Sequence, residues 1–256
     1  MLHSKNNNQY VGKLFEQLLC DSNIENPYPD KISNEEFATV KIDAIDARNY
    51  LPSGRNYSWI GDKYNDRGDI VQDGNVYWEI KYTSGSNGTW YNTSVYILDK
   101  YGIDYKSFLK PLYSLYEKNN IPYSKTNNSP VTMAMSKTIR HTNFELAEQL
   151  RKTASDINIQ VCSKLYNILS NNTELKNIFF NDMLLKRTKR NIADFLFVYD
   201  YKKHTVKIIN IYDIIVNNSI RINGQSLIFG DKIRITLSWQ NGAGLNNPTI
   251  RVFLTD

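Results

Sequence analysis

The feature that most constrains this chain is the segment from Gly68 to Tyr82. Val76, Trp78, Ile80 and Tyr82 alternate with Tyr77, Glu79 and Lys81, and Asp73-Gly74 precedes them as a turn signal. Alternation with a period of two marks a strand that turns one face to a core, so the segment is predicted to be a β-hairpin. Its register decides what the polar residues can do, because a slip of one residue sends every side chain to the opposite face. A two-residue turn at Asp73-Gly74 pairs Asp69 with Trp78 and Ile70 with Tyr77. A three-residue turn, Asp73-Gly74-Asn75, pairs Asp69 with Glu79 and Ile70 with Trp78, so that the acids share one face and the apolar residues the other. Apolar matching selects the odd-length turn.

That register assembles a recognisable chemistry. Hydrolysis of a phosphodiester builds charge on a pentacoordinate phosphorus and consumes a water-derived nucleophile, and Mg²⁺ held by carboxylates serves both needs through hard oxygen ligands. Asp69 and Glu79 are the two acids. Lys81, two residues beyond Glu79 in the same strand, projects on the same face, where an ammonium can orient the water and offset phosphate charge.

Gly68-Asp69, nine intervening residues and Glu79-Ile80-Lys81 resemble the PD-(D/E)xK nuclease superfamily, best known from type II restriction endonucleases. Gly68 stands where the family has proline. The likeness extends loosely to the preceding helix, where Glu16 in Gly12-Lys13-Leu14-Phe15-Glu16 resembles the acidic helix residue that many members place beside the metal. The resemblance implies a restriction-endonuclease-like fold, with a central mixed β-sheet flanked by helices. It further implies Mg²⁺-dependent cleavage of double-stranded DNA at a short specific sequence, and a homodimer that cuts both strands without a nucleotide cofactor.

Elsewhere, Val11, Leu14, Phe15, Leu18 and Leu19 recur at the spacing of an amphipathic helix over Tyr10 to Cys20. The stretch from Pro27 to Trp59 mixes short β-like runs with turn residues and receives no assignment. Helices are predicted over Tyr105 to Lys118, Phe144 to Ser170 and Thr173 to Leu185. Strands are predicted over Asp194 to Val198, Thr205 to Ile211, Ser226 to Phe229, Lys232 to Trp239 and Thr249 to Leu254. With no repeats and no clear linker, the simplest organisation is one mixed α/β domain with a β-rich C-terminal part. A catalytic part covers about residues 8–120, and a helical and β-rich recognition part about 140–256.

Three regions are candidate DNA contacts. The predicted loop from Thr83 to Thr93 contributes Ser84, Ser86, Asn87, Thr89, Trp90 and Asn92, whose hydroxyls, amides and indole suit a phosphate backbone or a groove. The basic run Lys186, Arg187, Lys189 and Arg190 can neutralise phosphates. A predicted polar loop from Ser238 to Asn247 offers Gln240 and Asn241, amides able to read adenine edges.

The rival readings are weaker. Asp194 and Lys207 flank a second hairpin that copies the first but carries Thr205 in the place of Glu79, so it reads as structural sheet. Asp62 and Asp66 are alternative first acids that precede no apolar strand residue. His3, His141 and His204 are too scattered for a histidine-centred mechanism. Cys20 and Cys162 lack metal-site spacing and read as buried thiols in a reducing compartment. A net charge of +5 suits a polyanionic partner. The polar, Asn-rich start and the absence of any run of membrane-spanning length point to a cytoplasmic protein that does not enter a membrane.

Overall fold

The computed structural model describes residues 8–61, 68–84, 89–184, 193–216, 219–230, 233–240 and 246–254. Its helices are α1 Asn8–Cys20, α2 Asn34–Arg48, α3 Lys110–Lys118, α4 Met133–Thr142, α5 Phe144–Ser170, α6 Thr173–Leu184 and α7 Ile211–Val216. The strands are β1 Tyr57–Trp59, β2 Ile70–Gln72, β3 Val76–Thr83, β4 Thr89–Ser94, β5 Phe195–Asp200, β6 Thr205–Asn210, β7 Ile220–Asn223, β8 Ser226–Phe229, β9 Ile233–Gln240 and β10 Asn246–Leu254. The mixed α/β class agrees with the sequence. The chain divides into two compact units, drawn from the described parts of 1–88 with 185–216 and of 89–184 with 217–255. Both units therefore alternate along the chain instead of following one another, unlike the division into 8–120 and 140–256.

The first unit carries a five-stranded mixed sheet in the order β1-β2-β3-β5-β6. β3 and β5 are parallel and every other pair is antiparallel. Helix α1 buries Val11, Leu14, Phe15, Leu18 and Leu19, the stripe expected from the spacing, in one core with Ile70, Trp78, Ile80, Phe197 and Tyr199. Each such side chain, fully buried, contributes about 1.5–3 kcal/mol. Helix α2 starts from a capping box, with Ser33 Oγ accepting from Glu36 N at 3.2 Å and Glu36 Oε2 from Ser33 N at 3.1 Å. It adds Val40, Ala44 and Ala47 to the same core.

A polar network ties α2 to the ends of the parallel strands. Tyr82 donates to Asp43 Oδ2 at 2.6 Å, and Tyr199 to Asp46 Oδ2 at 2.9 Å. His204 Nδ1 lies 3.0 Å from the Tyr199 hydroxyl and 3.4 Å from Asp43 Oδ1. Burial, then the carboxylate bond, pushes both phenols well above their ordinary range, so each stays protonated as a donor.

The second unit holds an antiparallel sheet in the order β4-β10-β9-β8-β7. The long helix α5 packs on β7, β8 and β9 of this sheet and on α3, α4 and α6, and buries Leu146, Leu150, Ile157, Val161 and Leu165. Two predicted loops shrink. Thr89–Ser94 is a strand, because its β-branched and aromatic residues pair with β10, Ile250 opposite Thr93 and Val252 opposite Tyr91. β9 runs on to Gln240 and β10 begins at Asn246, so only 241–245 separate them and lie outside the described residues. The helix expected over Tyr105 to Lys118 splits into a 3-10 turn, Tyr105–Leu109, and α3, whose first turn contains Pro111. Among the described residues, no helix is long and apolar enough to cross a membrane.

Candidate active site

The hairpin turns through Asp73, Gly74 and Asn75, with Gln72 opposite Val76, Val71 opposite Tyr77 and Ile70 opposite Trp78. This is the register that apolar matching selects. Asp73 and Gly74 both take positive φ, +49° and +79°, a conformation that aspartate tolerates and glycine adopts freely. The turn is anchored from behind, where Asn56 N donates to Asp73 Oδ1 at 3.0 Å and Asp73 N to Asn56 O at 2.9 Å.

Past Ile70 the ladder changes character. Asp69 N donates to Trp78 O at 2.8 Å, and the Asp69 side chain takes over from the backbone, Oδ2 accepting from Ile80 N at 2.9 Å. Gly68 permits this. A Cβ at that position would lie 2.6 Å from Trp78 O and 2.9 Å from its carbonyl carbon, so only glycine lets the chain pass so close to β3. Asp69 O in turn accepts from Ile60 N at 3.0 Å and Gly61 N at 3.3 Å.

Glu79 and Lys81 occupy the sheet face opposite Trp78, Ile80 and Tyr82; the Tyr82 ring stacks on Phe15 of α1 and Tyr199 of β5, and the Trp78 ring on Phe195 of β5. Lys81 Nζ bonds Glu79 Oε1, uniting the two on that face. Asp69 and Glu79 are each 3% exposed. The Asp69 carboxylate differs in one respect from the expected arrangement. A strand N–H points along the sheet plane, so a carboxylate bonded to Ile80 N lies near that plane, beside Glu79, instead of standing out on the Glu79 face.

Glu16 lies on α1. Its Oε2 accepts from Trp59 Nε1 at 3.1 Å, and Trp59 pairs with Ile70 on the face covered by α1, away from Glu79. Among the described residues, no group of three His, Cys, Asp or Glu side chains is arranged to hold a metal ion. The donor set still fits Mg²⁺, which commonly takes one or two carboxylates and completes its shell with water and phosphate oxygens.

The expected DNA contacts lie largely beyond the described residues. Ser84 is exposed just after β3. Ser86, Asn87, Lys186, Arg187, Lys189, Arg190 and Asn241 fall outside the described residues, as do the alternative acids Asp62 and Asp66. Thr89, Trp90 and Asn92 have strand backbone in β4 and Gln240 in β9, with side chains outside the described part. The two cysteines are free thiols. Cys162 is buried as expected but Cys20 only half-buried, and burial pushes both up to about 12.

One acid on the Glu79 face escaped the sequence reading. Asp200, at the end of β5, is 2% exposed and sits opposite Thr83 in the parallel pair. Its Oδ1 accepts from Lys202 N at 3.0 Å, whereas Oδ2 is buried without a hydrogen-bond partner among the described residues. An aspartate closing an otherwise apolar strand, in phase with Leu196 and Val198, was the available signal. No known family model matches this sequence, and no curated protein matches it.

Proposed function

We propose that this chain is a Mg²⁺-dependent endonuclease acting on double-stranded DNA, with Asp69, Glu79 and Lys81 as its active site. The observation that carries the reading is the hairpin register, Ile70 opposite Trp78, which sets Asp69 beside Glu79 with Lys81 bonded to Glu79. A bound Mg²⁺ supplies Lewis acidity at the phosphoryl oxygen and lowers the pKa of the attacking water. The protein's own part is to position. Asp69 is pinned through Ile80 N, Trp78 O, Ile60 N and Gly61 N, so its oxygens are in place before any ligand arrives. Glu79 is buried on the central strand, where its backbone cannot drift. Lys81 brings the one positive charge of the trio to the phosphate and to the nucleophile's side of it. Recognition of a short sequence, action as a homodimer and a cytoplasmic location belong to the same proposal and rest on the likeness to type II restriction endonucleases.

Plasmid DNA incubated with and without Mg²⁺, beside the Lys81→Ala and Asp69→Ala variants, tests it. The expected result is discrete fragments that require Mg²⁺ and disappear in both variants. A smear would replace sequence-specific cutting with a nonspecific or structure-directed nuclease of the same superfamily. Metal-dependent cutting retained by both variants would move the active site elsewhere. Binding without cutting would make the chain a non-catalytic nucleic-acid-binding protein.

A further inference from the structure

The Glu79 face of the first sheet carries a second carboxylate with unusual properties. In the parallel pair, Glu79 lies level with Leu196, Lys81 with Val198 and Thr83 with Asp200. Lys81 therefore stands midway between Glu79, two residues back on its own strand, and Asp200, two residues forward on the next. Strands about 4.8 Å apart with about 3.3 Å per residue put such a diagonal at roughly 8 Å between Cα atoms, which the lysine stem spans easily. β6 borders the same row with Thr205 opposite Asp200 and Lys207 opposite Val198.

Asp200 Oδ2 is a buried carboxylate oxygen with no hydrogen-bond partner among the described residues. Native proteins rarely leave such an atom unserved, because its lost hydration is uncompensated. The turn explains only the other oxygen, since Lys202 N reaches Oδ1. Meanwhile Lys81 Nζ is bonded to Glu79 Oε1, the carboxylate that the proposed function assigns to the metal. An ammonium and a divalent cation repel one another, so a cation on Glu79 weakens the ammonium's hold there and favours a second carboxylate within its reach.

We infer that Asp200 is the positioning residue that receives Lys81 when Glu79 is given over to a divalent cation. The inference rests on the nuclease reading of Asp69 and Glu79. Lys81 has two seats on one sheet face, Glu79 Oε1 and Asp200 Oδ2, and a cation on Glu79 shifts it toward the second until a phosphate arrives. In the second seat the ammonium keeps a counter-charge, stays on the Glu79 face and clears the carboxylate for the metal.

The test measures Mn²⁺ binding to the full chain without DNA, following free Mn²⁺ by electron paramagnetic resonance. It compares the unmodified chain with Asp200→Asn, Lys81→Met and the double variant. Asp200→Asn keeps an oxygen for Lys202 N, so the turn and the fold are preserved, as circular dichroism should verify. It is expected to weaken Mn²⁺ binding by about 10-fold, the low end for outer-shell partners of a metal site. In the Lys81→Met background no ammonium needs a seat, and Asp200→Asn should then have no further effect. Unchanged affinity in the single variant overturns the inference. A loss undiminished in the Lys81→Met background also overturns it, making Asp200 a direct ligand. If the unmodified chain binds no Mn²⁺, the nuclease reading itself falls, and this inference with it.

Discussion

Two hairpins share the first sheet, and both send an aspartate to the same strand. Asp69, just ahead of β2, accepts from Ile80 N at 2.9 Å, and Asp194, just ahead of β5, accepts from Tyr77 N at 2.8 Å. The two carboxylates thus grip β3 from opposite flanks. What lies across from each is different. The three-residue turn of the first hairpin brings Glu79 opposite Asp69. In the second, Phe195 pairs with Asn210 and Asp200 with Thr205, so Asp194 lies level with Ile211, whose N–H bonds its carbonyl at 2.9 Å. Thr205 and Lys207, the apparent counterpart of Glu79 and Lys81, sit toward the far end of that hairpin. An aspartate before an apolar strand is therefore structural or chemically eligible according to turn length and its own distance from the turn, which together decide what its neighbour across the ladder will be.

The strongest way to break this comparison is to exchange functional for structural positions. Glu79→Gln should lower plasmid cleavage by at least about 10²-fold, the scale of losing one preorganised electrostatic group. Thr205→Val, its formal counterpart, should leave the cleavage rate unchanged. Equal losses would mean that the two hairpins are not functionally distinct. Next in size, Gly68→Ala forces a Cβ against the Trp78 carbonyl and should cost about 1–3 kcal/mol, read as a fall of several degrees in Tm accompanied by loss of cleavage. Asp194→Ala should cost about as much as an orphaned backbone donor, roughly 1–3 kcal/mol, yet leave cleavage per folded molecule intact.

The smallest effect concerns the core beneath both hairpins. Burial raises the Cys20 thiol to about 12 from an ordinary 9.0. The folded chain then holds a proton that the unfolded chain releases, so stability present at neutral pH declines as pH rises from about 9 toward 12. Cys20→Ala should flatten that part of the alkaline decline in Tm. A slope identical to that of the unmodified chain would assign the decline to the raised tyrosines alone.

Legibility of the fold followed locality. The hairpin register could be read because Ile70 and Trp78 had to meet, and α1 and α5 because their apolar stripes are long. Helix α2 escaped because its pattern is inverted, with Asp43 buried while Ile42 and Ile45 are 66% and 50% exposed. The Ser33 to Glu36 capping box was its readable sign. β4 was hidden by the Gly, Ser and Asn around it, since its strand character depends on β10, far away in sequence. For the same reason Glu79 and Lys81 could be matched within one strand, whereas Asp200 emerged only when β5 was seen lying parallel to β3. Helical spacing said which residues line α1, but not which face of the sheet α1 would cover.

The parallel pairing of β3 with β5 also sets an order of events in synthesis. Parallel neighbours need a crossover between them, and here β4 and helices α3 to α6 of the second unit are made after β3 and before β5, while β7 to β10 follow. At about 5–20 residues per second, β3 waits several seconds on the ribosome with one edge unpaired. Through that interval the nascent chain already possesses Asp69, Glu79 and Lys81, but neither the strand that braces β3 from the other side nor Asp200. A site assembled in this order would be complete only after β5 has emerged.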